Sequence, residues 1–275
     1  MLPKEVEEII RRMEEERIQG ASYLAEMGAK AYIKLTEIFE GDTLLEGIKE
    51  LGTELINVNP TMASLYNLVR FIPLTKNPEF VKAKAEEFIR LNKEAKLEIG
   101  NIGSEIIDQN EIIITHSYSS AVLEIIKRAK EKGKTFKVIL TESGPDYEGL
   151  ALAKRLDELK IPFEVITDSQ MGLFTKKATL ALVGADNITR DGYVFNKAGT
   201  YLLALSCHDN SIPFYVAAES FKIHPEAKVD DVKIVERKFK RDHIIIRNYL
   251  FDATPWKYIR GIITELGVLV PPKEI

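Results

Sequence analysis

Residues 111–141, EIIITHSYSSAVLEIIKRAKEKGKTFKVILT, read as a strand, a helix and a second strand: two short apolar runs separated by an amphipathic segment. That pattern is the mark of a βαβ unit and hence of a parallel sheet. It continues downstream. Strands are expected at 111–115, 136–141, 163–167, 180–185 and 213–218, with helices at 120–132, 148–159, 170–177 and 200–208. The pair Asp191-Gly192, between Ile188-Thr189 and Tyr193-Val194-Phe195, reads as a hairpin turn that interrupts the rhythm. Beyond it the stretch 222–247 shows little pattern, apart from a late strand at Ile244, Ile245 and Ile246.

Upstream the grammar differs. Apolar residues recur at three and four spacing in Val6, Ile9, Ile10, Met13 and again in Leu24, Met27, Ala31, Leu35, which is helical periodicity. Pro60-Thr61 opens another helix through Leu65, Leu68 and Val69; Pro73 stops it, and Pro78 at a first turn starts one running towards Ile99. The expected organisation is a helical domain at 1–105, of several short antiparallel helices, and a parallel-sheet domain at 106–275. Gly100, Gly103 and Asn110 cluster at the boundary.

With 275 residues, 45% hydrophobic and 29% charged, the chain has enough material for about two domains of ordinary size. Lys plus Arg number 38 against 42 for Asp plus Glu, and a net charge of -4 offers no global attraction to nucleic acid or anionic lipid. The single cysteine, Cys207, excludes an intramolecular disulfide and a zinc ribbon, and its place in the apolar run 201–205 to 207 reads as a packed core thiol. A charged start and no long apolar run point to a cytoplasmic protein with neither signal peptide nor membrane span.

Ligands of open parallel sheets bind beyond the carboxyl ends of the strands. The polar residues standing there are His116 and Ser117, Glu142 and Ser143, Asp168 and Ser169, Asp186 and Asn187, and Glu219 and Ser220. Singly, each suits a helix cap, the commonest local role of Asp, Ser and Asn; together they outline a polar crevice. Two helix starts in it have unpaired N–H groups to offer an anion, Ser117 to Ser120 and Ala198-Gly199-Thr200, the second preceded by Asn196 and Lys197. Neither is a P-loop. Asp186 ends an apolar strand, so a desolvated carboxylate of raised pKa is expected there, suited to general acid or base work; a cap or hairpin role is the competing account. His116 and His208 lack a partner at ligand spacing, so no metal is expected, and no cofactor motif is present.

The runs GADNITRDGYVFNKAGT (184–200), VAAESFKIHP (216–225) and NYLFDATPWKYIRGIITELGVLVPP (248–272) resemble the family of the alpha, beta and delta subunits of translation initiation factor 2B, which also contains ribose-1,5-bisphosphate isomerase and methylthioribose-1-phosphate isomerase. Weaker likenesses lie at Gly20-Ala21, Pro60-Thr61 with Asn67 and Arg70, Thr115-His116, and Glu142-Ser143 with Pro145 and Gly149. The resemblance implies an α/β fold in which an N-terminal helical domain precedes a Rossmann-like parallel-sheet domain. It also implies a homodimer or higher homo-oligomer formed through the Rossmann-like half.

The isomerases resembled here use a cysteine after the Thr-His pair and an aspartate in the Gly-Ala-Asp run. Asp186 is present, but Ser117 stands for the cysteine, and a serine hydroxyl needs a dedicated base where a thiol does not. Gly144 and Gln19 stand where the family has arginines, each a lost bidentate phosphate ligand. The expectation is a non-catalytic regulatory subunit, a protein-binding module whose implied partner is initiation factor 2 through its alpha subunit. It keeps a pocket for AMP, GMP or a ribose phosphate at Gly20, Ala21, Glu142, Ser143, Asn196, Lys197, Gly199 and Thr200. The alternative is a sugar-phosphate aldose-ketose isomerase with Asp186 and Ser117 as its catalytic pair. The basic stretch Arg237, Lys238, Lys240, Arg241, His243, Arg247 reads either as a solvated face or as a surface for an acidic partner, outside the crevice.

Overall fold

A computed structural model describes residues 1–271 of the chain. Five helices come first: α1 (Lys4–Glu15), α2 (Ala21–Thr36), α3 (Gly41–Val58), α4 (Ala63–Phe71) and α5 (Pro78–Ser104). The βα alternation follows with β1 (Glu111–Thr115), α6 (Ser120–Glu131), β2 (Phe136–Thr141), α7 (Glu148–Glu158), β3 (Phe163–Ile166), α8 (Met171–Thr175) and β4 (Leu180–Val183). Next come β5 (Asn187–Ile188), β6 (Tyr193–Lys197), α9 (Thr200–Asp209) and β7 (Phe214–Ala217). The chain closes with β8 (Glu236–Arg241), β9 (Ile244–Tyr249), β10 (Phe251–Pro255), β11 (Gly261–Thr264) and β12 (Gly267–Leu269).

Seven strands form one sheet in the order β12-β11-β7-β4-β1-β2-β3, parallel throughout except for β12, which runs against β11 at the edge. Successive side chains of a strand face opposite sides. Ile113 therefore joins Val138, Leu140 and Ile125 in one core, while the adjacent Ile114 joins Ile139, Val183 and Leu203 in the other. A strand covered on both faces has no place for polar residues, which is why β4 reads LALV and is buried along its whole length. Asp191-Gly192 turns β5 into β6, and β10 pairs with β6 to complete a small antiparallel sheet.

The helices bury a third core around Tyr32, Leu35 and Phe88, to which Leu250 and Phe251 return from the far end of the chain. Most are of ordinary length, but α5 is not short: it runs 27 residues, started by Pro78 and by the Asn77 side chain, which accepts from the Phe80 N–H. Its Val81, Ala85 and Phe88 sit in the helical core and its Ile99 in a core of the sheet, so one rod is built into both. Four strands were outside expectation. β8 pairs with β9 as a separate two-stranded ribbon, and β10 to β12 arise from a tail whose polar and proline residues mask the alternation. Among the described residues no helix is long and apolar enough to cross a membrane.

Glycine 149 shows how tightly α7 is seated on the sheet. A Cβ built there would lie 1.9 Å from the Thr141 carbonyl oxygen, and backbone cannot yield as a side-chain tip can. Gly149→Ala is expected to cost about 1–3 kcal/mol of stability, read as a lower melting temperature; an unchanged melting curve would show that α7 is free to shift.

Candidate functional site

The helical half and the sheet meet beyond the carboxyl ends of the strands and leave a cavity of about 320 Å³. Its wall draws on the amino end of α2, the Ser117 to Ser120 turn that opens α6, the loop before α7, the ends of β4 and β6, and the ribbon strand β8. Of the residues singled out in the sequence, Gly20, Ala21, Ser117, Asp186, Asn196 and Lys197 line this cavity. Glu142, Ser143, Gly199 and Thr200 are not on its wall. The start of α9 holds no room for a phosphate, because the Asp252 carboxylate already accepts from the N–H groups of Gly199 (2.7 Å) and Tyr201 (3.1 Å). Thr200 is buried behind it, donating to the Lys197 carbonyl and accepting from Asn196.

Ser143 has a supporting role in a buried network. His116 lies between the Ala198 carbonyl, 3.0 Å from Nε2, and Thr141 Oγ1, 2.6 Å from Nδ1. A carbonyl only accepts, so Nε2 carries the proton and Nδ1 receives one from Thr141. Burial holds the ring well below the usual histidine range, which keeps it neutral. With its own proton spent on His116, Thr141 accepts from Ser143, whose oxygen in turn receives the Ser117 N–H at 2.8 Å. Asp168 fixes the next turn by accepting from the Ser143 and Gly144 N–H groups. These bonds hold Ser117 at the cavity wall with φ at 70°, a left-handed conformation uncommon away from glycine.

Asp186 follows β4; its backbone carbonyl accepts from the Ala63 N–H at 3.1 Å, and its carboxylate faces the Ala21 N–H at the amino end of α2. Desolvation lifts its carboxyl to about 6, against the pull of Lys222 and of that N–H. Close approach is possible here because position 184 has no side chain: a Cβ would sit 2.6 Å from Ser119 Oγ. Two neighbouring carboxylates are paired with lysines. Glu148 lies 2.8 Å from Lys197 and accepts from the Ser117 hydroxyl at 3.2 Å. Burial pushes its carboxyl up while Lys197 pulls it down, and burial prevails. Glu219 accepts from Ser22 and pairs with Lys222 at 3.0 Å; burial alone would raise it, but these partners bring it below the ordinary value. Cys207 is buried inside α9, its thiol pushed up to about 12 by desolvation, which leaves it inert.

Several wall residues were not foreseen: Asp146, Glu148, Lys222 and Arg237. Arg237 corrects the reading of the basic stretch, since it leaves that surface and donates to Asp146 at 2.8 Å inside the cavity. Alternation along β8 held the signal, because Arg237 and Phe239 point one way and Lys238 and Lys240 the other.

The raised carboxyl of Asp186 gives a stability prediction with a definite sign. Its folded pKa, about 6, exceeds the unfolded value near 3.8, so between those pH values the unfolded chain has lost a proton that the folded chain keeps. Its contribution therefore worsens as pH rises from about 4 to 6, by about 2 kcal/mol. Asp186→Asn keeps the size of the side chain without its charge, so its melting temperature should gain on the wild type across that window and hold the gain at pH 7. A difference that does not change with pH would mean the carboxylate is well solvated.

Residues 18–271 match the family described as the initiation factor 2 subunit family. A solved structure of translation initiation factor eIF-2B from Pyrococcus horikoshii OT3 is 59% identical, with a TM-score of 0.97 and 98% of each chain covered. The delta subunit of eIF-2B from A. fulgidus is 28% identical with a TM-score of 0.73, over 97% of this chain and 88% of that one. A ribose 1,5-bisphosphate isomerase of Methanocaldococcus jannaschii is 37% identical over 289 residues, 98% of this chain and 92% of its own. Translation-factor subunits and isomerases are thus both among the relatives, across nearly the full length. The chain belongs to the initiation factor 2 subunit family.

Proposed function

We propose that this chain is a non-catalytic, regulatory-type member of the family, a protein-binding module that keeps a pocket for a nucleotide or sugar phosphate. The observation that carries the reading is the state of Ser117. Its hydroxyl donates to Glu148, and Glu148 is tied to Lys197. A paired carboxylate is far too weak a base to ionise a serine, so the thiol of the resembled isomerases has no functional substitute here. The protein-binding half of the reading is supported by the ribbon of β8 and β9, where Lys238 and Lys240 lie exposed beside exposed Ile244, Ile245 and Ile246. Apolar side chains left in water beside clustered charge suit a partner surface. The partner under this reading is initiation factor 2, met through its alpha subunit. A homo-oligomer built through the sheet half also belongs to it, supported by exposed Leu266, Val268 and Leu269 around the edge strand β12.

One observation favours a second reading, a sugar-phosphate isomerase: Asp186 is poised near 6 at the cavity wall, as a general acid or base needs. Incubation with ribose 1,5-bisphosphate separates the two. No ribulose 1,5-bisphosphate is expected; turnover that disappears in Asp186→Asn would establish the isomerase.

The partner surface has its own test. Lys238→Glu combined with Lys240→Glu should slow association with the alpha subunit of initiation factor 2 several-fold at low salt, and much less at high salt where screening shortens the reach of charge. Surface plasmon resonance at two salt concentrations reads this, and equal association rates under both conditions would return the ribbon to an ordinary solvated face.

A further inference from the structure

Four cations line the cavity, and the chain supplies a carboxylate to the three that lie deepest in the fold; the fourth, Arg17 at the exposed rim, donates to the backbone carbonyls of Glu14 and Glu16. Lys197 lies 2.8 Å from Glu148, Lys222 3.0 Å from Glu219, and Arg237 2.8 Å from Asp146. The pairs are not equivalent. The side chains of Glu148 and Glu219 are 7% and 1% exposed and are fixed by hydrogen bonds from Ser117 and Ser22. Asp146 stands on the loop before α7, 17% exposed, and its Oδ2 faces two cations at once, Arg237 at 2.8 Å and Lys197 at 3.8 Å. One carboxylate oxygen bridging a guanidinium and an ammonium on a cavity wall holds the place that a phosphate oxygen would take.

We propose that Asp146 is a built-in counter-ion that sets the ligand class of this cavity, favouring a ligand with one phosphate or none over a bisphosphate. The inference rests on the reading of the cavity as a sugar-phosphate or nucleotide pocket. A phosphate bound for Lys197 and Arg237 must either push the Asp146 carboxylate aside or sit next to it as a like charge, and in a half-buried site either route weakens binding. Glu16, which also lines the cavity, adds to the bias beside Arg17. Its carboxylate accepts from the N–H groups of Arg17, Ile18 and Gln19, a cluster of backbone donors of the kind that elsewhere cradles an anion. An uncharged sugar ring meets no such opposition, and a single phosphate meets it once.

Asp146→Asn keeps the size of the side chain and an oxygen for Arg237 while removing the charge. Calorimetry of the wild type and this variant with ribose, ribose 5-phosphate and ribose 1,5-bisphosphate at one salt concentration tests the idea. The wild type should bind the monophosphate at least as tightly as the bisphosphate. The variant should bind the bisphosphate at least tenfold more tightly than the wild type does, with ribose changed less than about twofold, since one freed charge-assisted contact is worth roughly that factor or more. Adding Arg237→Gln should abolish the gain. A gain in affinity cannot come from misfolding, and a wild type that binds no phosphate while the variant does would support the proposal. A wild type that prefers the bisphosphate tenfold, or a variant with unchanged affinities, would overturn it and leave the pocket reading standing. Failure of both proteins to bind any of the three sugars would instead remove the pocket reading, and this inference with it.

Discussion

A buried ammonium must be paired, and much of the cavity's construction follows from pairing Lys197. Left alone in a protein interior its charge would cost more than a fold of this size has to spare. Glu148 answers it from the first turn of α7, and Asp146 from the loop before that turn. Glu148 can reach only because Gly149 lets the helix press on the end of β2, where any side chain would strike the Thr141 carbonyl. The same carboxylate takes the Ser117 hydroxyl, and Asp146 draws Arg237 in from a ribbon 91 residues further on. Parts distant in the chain thus converge on one charge.

The cavity exists because the helical half closes over the strand ends with its own polar groups. The first turn of α4 gives the Asp186 carbonyl the Ala63 N–H, and α2 gives Glu219 the Ser22 hydroxyl, so two strand-end acids become joints between the halves. Further along α4, Asn67 donates to the carbonyls of Phe221 and Ile223. A carboxylate that seals such a joint is poorly hydrated, which is why Asp186 is reluctant to ionise while Glu219, with Lys222 beside it, is not.

The alternating elements from 111 to 218 were legible because strands covered on both faces must be apolar, and EIIIT, FKVILT and LALV can hardly be read otherwise. The ribbon and the tail were not. ERKFKR in β8 carries charges on both faces because one face stands in water and the other meets the polar cavity wall through Arg237, so no apolar alternation marks the strand. Within the site, Asp186, Ser117 and Lys197 stood out because strand ends are read directly from the strands. Asp146 and Arg237 did not, since each is placed by the other and neither lies at a strand end that the pattern revealed. The start of α9 misled for a local reason: a glycine before a helix looks open to an anion, and only the fold shows that Asp252 is already there.

Helix α5 has a mechanical consequence. At about 1.5 Å per residue its 27 residues form a strut of roughly 40 Å. Its first half is gripped among the helices by Val81, Ala85 and Phe88, and its last turns by Ile99 in a core of the sheet. A strut clamped in both halves lets neither swivel without dragging the other, so opening of the cleft between them would require bending the strut or pulling one anchor from its socket. The width of the cavity mouth then depends on its rim, on the loop carrying Asp146 and the edge of the ribbon, more than on any swing of one half against the other.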